Sequence, residues 1–505
     1  MTQLILMLVY LGLLLGLGVF SSRLYRGTAQ DYYLASHSIG PVLLLLTIFG
    51  TTMTAFALVG SSGEAYASGI GVFGMLASWS ALVHVAVFFF VGIRLWALGK
   101  RHGYLTQIQF FRDRFESDAL GLLLFPLLVG LVVPYLLTGL MGAGAVVRAL
   151  TAGALPGVFP ATAGAVPPWV SALVVCGVVL AYIFFGGLRG ATWANAFQTV
   201  VFLLTGLAAF VLISTELGGA EAATRAVIEA HPEKLMRSGA LDPLDFFLYG
   251  LIPLSVGTFP HVFQHWLTAR SAETFRLSLV AHPLFMILLW LPCVLVGVWA
   301  TAALMPDGSL VVPVPHPPNT ELATMVEKLT TPLVGGVLGA GILAAIMSSL
   351  DSQFLALGSI FANDIVAHYV RHDRVDDQAR VALGRAFILL VVGATYGLSL
   401  LEPRSVFALG VWCFSGFSGL FPLIVAALYW RRATRAGAMA SVVVTGAVWF
   451  ALFRASGYGA EPHYEFLGMM PVASIVAAGA LSVIAVSLAT KPPGEATLRK
   501  FFPQA

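Results

Sequence analysis

Charge is what this sequence has least of. Asp, Glu, Lys and Arg make up 10% of its 505 residues and hydrophobic residues 58%, with a mean hydropathy of +0.90. A soluble enzyme cannot be built from that balance; an all-α protein that crosses a bilayer many times can. The formal net charge of +3 is small and its charges are scattered, which excludes nucleic acid as a partner. Cysteine is scarce. Cys176, Cys293 and Cys413 lie inside apolar runs and match no disulfide or metal spacing, so they read as small core residues. No nucleophile–base pair or metal-spaced cluster stands out, and no catalytic residue is assigned. The first apolar run lacks a basic start and a small-residue cleavage site, so it reads as a retained span, not a secretory signal.

Long apolar runs are what the sequence does have. Cutting it into segments of about 20 apolar residues gives thirteen transmembrane spans. They fall at 3–20, 40–66, 72–95, 119–147, 168–186, 191–214, 246–266, 276–302, 332–364, 381–401, 405–430, 437–456 and 466–489. Charge in the loops tests the count. Twenty of the 27 Lys and Arg fall in the loops after the odd-numbered spans or in the C-terminal tail, and only seven in the alternate loops. Positive charge collects on the cytoplasmic side, which predicts a multi-pass protein of the cell membrane with its N-terminus outside and its C-terminus cytoplasmic. Of two long outer loops, 215–245 predicts a short helix, and 303–331 carries prolines up to Pro318 and then an amphipathic stretch over Glu321–Leu329. Both read as caps, leaving residues 1–505 as one transporter domain embedded in the lipid bilayer.

In the ninth span Ala345, Ser348, Ser349 and Ser352 recur at i, i+3, i+4 and i+7, so one helical face is small and polar. Asp351 stands one turn beyond Ser348 and is the only acid the pattern places deep in a span; buried hydroxyls and a carboxylate in hydrocarbon mark an ion or substrate path. Two spans are interrupted. Gly50-Thr51-Thr52-Met53-Thr54 puts poor helix formers in the second, and Gly257-Thr258-Phe259-Pro260-His261 puts a proline mid-membrane in the seventh. Irregular backbone at that depth survives only where it lines a cavity or is buried in protein. If 40–214 forms one five-helix unit and 246–430 a second, five being odd inverts the second, and the interruptions occupy matching positions. Paired interruptions in inverted repeats point to a secondary transporter's binding site. Residues 3–20 and 437–489 are then extra helices.

Taken together, these features resemble the sodium/solute symporter family over nearly the whole chain. The likeness is clearest at residues 32–66, with Tyr32-Tyr33-Leu34-Ala35-Ser36-His37-Ser38-Ile39-Gly40-Pro41, and at 102–115, 186–198 and 344–364. The resemblance implies a leucine-transporter-like 5+5 core and one Na+ held by the carbonyls of Gly50, Met53 and Ala345 and the hydroxyls of Ser348 and Ser349. It also implies a second site in some members, built from an aspartate in the sixth span and two serines. Here the sixth-span position is Asn195 and one serine position is Asp351, so the acid has changed sides. Ser348, Asp351, Ser352 and Asn195 are read as a second cation or proton site, with a protonated, hydrogen-bonded Asp351 as the open alternative.

The solute cavity is expected between the broken stretches and the fourth, ninth and eleventh spans, from Thr52, Thr54, Phe56, Ala57, Tyr135, Ser255, Thr258, Phe259, Trp412, Phe414 and Phe417. Sugar-carrying members have amides and acids at several of these positions. Thr52, Phe56 and Ala57 here would leave a polyhydroxylated solute with unpaired hydroxyls. The resemblance instead leans toward members that carry monocarboxylates, pantothenate or amino acids, with a carboxylate met by half-helix N-termini. His261 and His265 read first as packing residues. The expected function is sodium-coupled import of a small organic solute, with no obligate protein partner. The alternatives are proton coupling through Asp351 and a symporter-like sensor, which needs an output domain that residues 491–505 do not supply.

Overall fold

Backbone amides in hydrocarbon find partners only within a helix or a closed barrel, and helices are what form. The structure is a computed structural model that describes residues 1–22, 32, 39–236, 241–370, 376–401 and 404–502. Residues 33–38 of the first resembling segment, and Arg23, Arg26, Arg237, Arg371 and Arg374 of the loop charges, lie outside the described residues. Among the described residues no strand forms, and only isolated bridges occur.

The helices in chain order are α1 (Thr2–Ser22), α2 (Pro41–Thr52), α3 (Phe56–Ser68), α4 (Gly71–His102), α5 (Gln107–Phe115), α6 (Asp118–Leu150), α7 (Pro168–Glu216), α8 (Ala220–Ala230) and α9 (Pro243–Gly257). They continue as α10 (Pro260–Thr268), α11 (Ala272–Trp299), α12 (Glu321–Leu329), α13 (Pro332–Val370), α14 (Asp377–Ser399), α15 (Val406–Tyr429), α16 (Arg435–Ala455), α17 (Pro471–Ala489) and α18 (Glu495–Phe501). Among the described residues ten are long and apolar enough to cross a membrane, or up to twelve when each of two bent pairs counts as one span. The last span starts five residues later than the apolar run suggests, because Phe466 and Met469 pair across a tight turn before Pro471 opens α17.

The bent pairs are the two interrupted spans. Between α2 and α3 the axis turns by 58°, and between α9 and α10 by 54°. In the first, Phe49 O still accepts the Met53 N–H at 2.9 Å, then Met53 turns extended (φ −93°, ψ 94°). Thr54 Oγ1 accepts the Phe56 N–H at 3.1 Å, which gives the opening turn of α3 a partner. In the second, Phe259 is extended and Pro260 opens α10, where its fixed φ fits and its missing N–H costs nothing. The 49 residues of α7 are also not one rod. Gly187 (φ 54°, ψ −153°) reverses it, and an added Cβ there would press on Tyr32, so the position demands glycine.

α13 sits at the centre, with 83% of its most apolar window buried, against 28% for α1 and α17 at the lipid-facing edge. It packs on α7, α1, α6 and α14. The three cysteines are buried core residues. Outside the spans, α8 and α12 form in the two long loops where short helices were expected. At the end of the bundle carrying α5, the broken spans are tied by backbone: Ile39 N–H to Thr268 O and Arg270 N–H to Ile39 O, both at 3.1 Å.

Candidate functional site

The first site is made by ending one helix against the flank of another. A helix leaves its last carbonyls without amide partners. Because α2 stops at Thr52, the Gly50 carbonyl turns instead to α13, where Ser348 Oγ lies 2.7 Å from it. The same hydroxyl lies 2.9 Å from Ala345 O. Three of the five oxygens expected to hold sodium therefore meet, and all are hard donors of the kind that suits a hard cation. Ser349 is 1% exposed and directs its hydroxyl at Ile346 O of its own helix, at 3.1 Å. Met53 is buried at the extended residue of the break.

Gly50 has a second role that its helix propensity does not reveal. An added Cβ would overlap Thr199 Oγ1 of α7, and that hydroxyl is fixed by a 2.8 Å bond to Leu46 O. Close approach of α2 to α7, not breakage, is what requires glycine here, since the helix runs on for two more residues.

One turn further along α13, Asp351 is fully buried. Tyr182 OH donates to its Oδ2 and Ser352 Oγ to its Oδ1, both at 3.0 Å. Ser352 Oγ also accepts from Asn195 Nδ2 at 2.9 Å and lies 3.0 Å from His265 Nε2. A hydroxyl has one proton and two lone pairs, so donating to Asp351 requires the Nε2–H tautomer of His265. Among the described residues Asn195 Oδ1 is buried without a partner. Asn195, Asp351 and Ser352 are thus brought together, with Tyr182 and His265 added. Among the described residues no Lys or Arg is within ion-pair distance of Asp351.

Between the two breaks, aromatic rings close on one another. Tyr135 meets Phe259 at 5.5 Å and Phe414 at 5.0 Å; Phe56 meets Phe414 at 5.0 Å; Phe417 meets Phe259 at 5.0 Å. His261 stacks on Phe259 at 5.1 Å, and among the described residues its ring nitrogens have no hydrogen-bond partner. Thr258 Oγ1 donates to Phe417 O at 2.8 Å, pinning the second break to α15. Ser255 is buried one turn earlier, its carbonyl taking the amides of Thr258 and Phe259. Thr54 caps α3, and Ala57 is buried within it.

Four expectations change. Trp412 does not join the cluster; its ring meets Phe453 and Tyr464, and its carbonyl accepts Trp449 Nε1 at 2.8 Å. It lies two residues from Phe414, about 200° around a helix, so the two cannot face one cavity. Thr52 bonds back to Ile48 O and Phe49 O of its own helix. Asp351 is not the only acid buried in a span. Glu64 in α3 accepts from Ser68 at 2.6 Å, and Asp364 in α13 accepts from Thr106 at 2.6 Å with Arg112 3.9 Å away. Each has a local polar partner that is not apparent from hydropathy. His261 stacks into the aromatic cluster and His265 bonds to Ser352, so neither only packs helices together. Phe407, stacked on Phe56 at 5.0 Å, was also missed, and an aromatic in a span carries no sequence signal that separates lining from packing.

The family model of the Sodium:solute symporter family matches residues 32–445. The chain belongs to the sodium:solute symporter family. As a family member it is a multi-pass membrane transporter, not an enzyme. This symporter is 26% identical to the sodium/pantothenate symporter of Escherichia coli (strain K12), over 92% of each chain. It is also 26% identical to a high-affinity proline transporter of Bacillus subtilis (strain 168), covering 94% of this chain and 96% of that one. Among solved structures, a substrate-bound outward-open Na+-coupled sialic acid symporter shares its fold, with a TM-score of 0.75 at 16% identity over 97% of this chain and 98% of that one. A nucleobase-cation-symport-1 family transporter matches at a TM-score of 0.57 and 13% identity, covering 93% and 97%.

Proposed function

We propose that this symporter imports a small carboxylate-bearing solute together with sodium by alternating access. The observation that carries the reading is the meeting of Ser348 Oγ with the Gly50 carbonyl. A main-chain oxygen released by the break in one repeat faces a hydroxyl from the other, and a monovalent cation can bridge them. Gly50, Met53, Ala345, Ser348 and Ser349 are the proposed sodium ligands. The thirteen-span reading is supported by counting each bent pair once and dividing α7 at Gly187. With the loop charges, that count supports an N-terminus outside and a C-terminus in the cytoplasm. Residues 40–214 and 246–430 are the inverted repeats of one transporter domain.

The solute site is the aromatic pocket of Phe56, Tyr135, Phe259 and Phe414, with Thr54, Ser255 and Thr258 at its edges. α3 and α10 both begin beside it, and helix N-termini favour anionic groups. Pantothenate, proline and sialic acid, the solutes named for the relatives, share a carboxylate. The His261 nitrogens, without a partner among the described residues, and the Tyr135 hydroxyl supply polar fixtures for it. Asp351, Asn195 and Ser352 hold a second cation or proton, an arrangement favoured by the unpartnered Asn195 Oδ1.

The test is uptake by proteoliposomes under an imposed sodium gradient, with lactate, pyruvate, acetate, pantothenate, proline and glucose offered in turn. Accumulation of at least one carboxylate and none of glucose is expected. Accumulation of glucose alone would overturn the solute class.

A further inference from the structure

The structure holds a basic cavity whose lining shares no residue with the candidate ion and solute sites. At the end of the bundle carrying α5, α4 and the segment after α15 meet α18 around a space of about 400 Å³ lined by Arg94, Leu98, Arg101, Tyr429, Arg431 and Phe502. The Arg94 guanidinium lies 4.5 Å over the Tyr429 ring and 5.8 Å over Phe502, and Arg431 lies 5.9 Å over Phe502. Among the described residues none of Arg94, Arg101 and Arg431 forms an ion pair with a carboxylate, unlike Arg112, Arg225 and Arg499. Among the described residues, then, the three cations share one cavity with no carboxylate partner.

The wall supplied by α18 is held firmly. Phe501 is 3% exposed and packs against Phe110 and His102; Lys500 Nζ pairs with Asp113 at 2.6 Å, and Thr497 bonds to Glu116. The cavity also borders lipid. Phe90 and Val425, each one turn back toward the bilayer from Arg94 and Tyr429, are exposed, and Tyr429 OH donates to Phe90 O. Guanidinium forks at the foot of a lipid-facing apolar surface match a phosphate that arrives with acyl chains attached.

We propose that this cavity binds the headgroup phosphate of an anionic phospholipid of the cytoplasmic leaflet, joining α4 to α15 and α18. Its leaflet assignment rests on the orientation proposed above. The binding itself does not, since retention by purified protein reads the cavity whichever way it faces. Arg499→Cys labelled by an impermeant maleimide in vesicles of known sidedness reads the orientation separately.

The experiment is native mass spectrometry of the purified full chain from mixed phosphatidylglycerol and phosphatidylcholine, with wild type, Arg101→Gln/Arg431→Gln and Arg435→Gln compared. Arg435 is an exposed arginine on the same face that does not line the cavity. Wild type is expected to retain phosphatidylglycerol preferentially. Retention should fall about fivefold for each cavity arginine removed, on the order of 25-fold for the pair, with Arg435→Gln unchanged. Equal retention of the two lipids, or an equal loss in Arg435→Gln, overturns the proposal. Displacement of phosphatidylglycerol by millimolar inorganic phosphate would assign the cavity to a soluble phosphate and overturn the lipid version. Unchanged thermal midpoints of the variants in phosphatidylcholine alone confirm that they fold.

Discussion

Ser348 Oγ lies 2.7 Å from the carbonyl oxygen of Gly50, a residue 298 positions earlier in the chain. Without the break at Met53 that carbonyl would take the Thr54 amide, and α13 would present its hydroxyl to a saturated helix. The contact therefore reports on the break and on the packing of α2 against α13 together.

Ser348→Ala and Ser349→Ala should differ in stability while both impair coupling. Removing Ser348 Oγ leaves a buried carbonyl unpaired and costs about 1–3 kcal/mol. Ser349 Oγ only bonds back to its own helix, so its loss should change stability by less than about 0.5 kcal/mol. Thermal unfolding of the purified variants reads the split, and equal midpoints would contradict the bonding described.

Gly50→Ala should cost about 1–3 kcal/mol by overpacking against Thr199. Adding Thr199→Ala removes the atom that the new methyl meets and should recover most of the loss. Simple addition of the two single-variant losses would show that the glycine serves some other need.

Asp351→Asn should fold, because its side chain keeps an acceptor for one donor and Tyr182 OH can accept from the new amide. The charge moved per solute, measured from the reversal potential of uptake at pH 6 and pH 8, should fall by one. An unchanged stoichiometry removes Asp351 from ion coupling.

The loop ahead of α12 carries a pH-dependent contact. His316 Nε2 lies 3.1 Å from Glu321 Oε1 and edge-on to Tyr66 of α3, and the hydrogen bond to Glu321 raises its pKa above the ordinary histidine value. A raised folded pKa gives stability that is complete below the unfolded value of about 6.5 and disappears as pH climbs through the folded one. The midpoint difference between wild type and His316→Ala should therefore be largest near pH 6 and fade by pH 9. A difference that grows with pH would refute the pairing.

The helices were legible because a bilayer leaves apolar runs no alternative, and the breaks because Gly50–Thr54 and Gly257–His261 are poor helix sequences at membrane depth. The Ser348 face was legible from its 3.6-residue period. Gly50 and Asn195 opposite it came with the family resemblance, but Tyr182, which reaches Asp351, and His265, which reaches Ser352, did not, because they stand on helices whose rotation no single-sequence pattern fixes. Trp412 was misplaced for the same reason, since an all-apolar helix has no moment to say which face turns inward. Gly50 showed its conformational weakness in the sequence and hid its contact with Thr199, which exists only once α2 and α7 pack.

The most direct test of the central claim is solute uptake by proteoliposomes of wild type and the Ser348→Ala/Ser349→Ala double variant, each driven by an inward sodium or an inward potassium gradient. The account predicts that sodium alone drives accumulation in wild type and drives none in the folded double variant. Equal uptake with potassium, or sodium stimulation that survives loss of both hydroxyls, would contradict it.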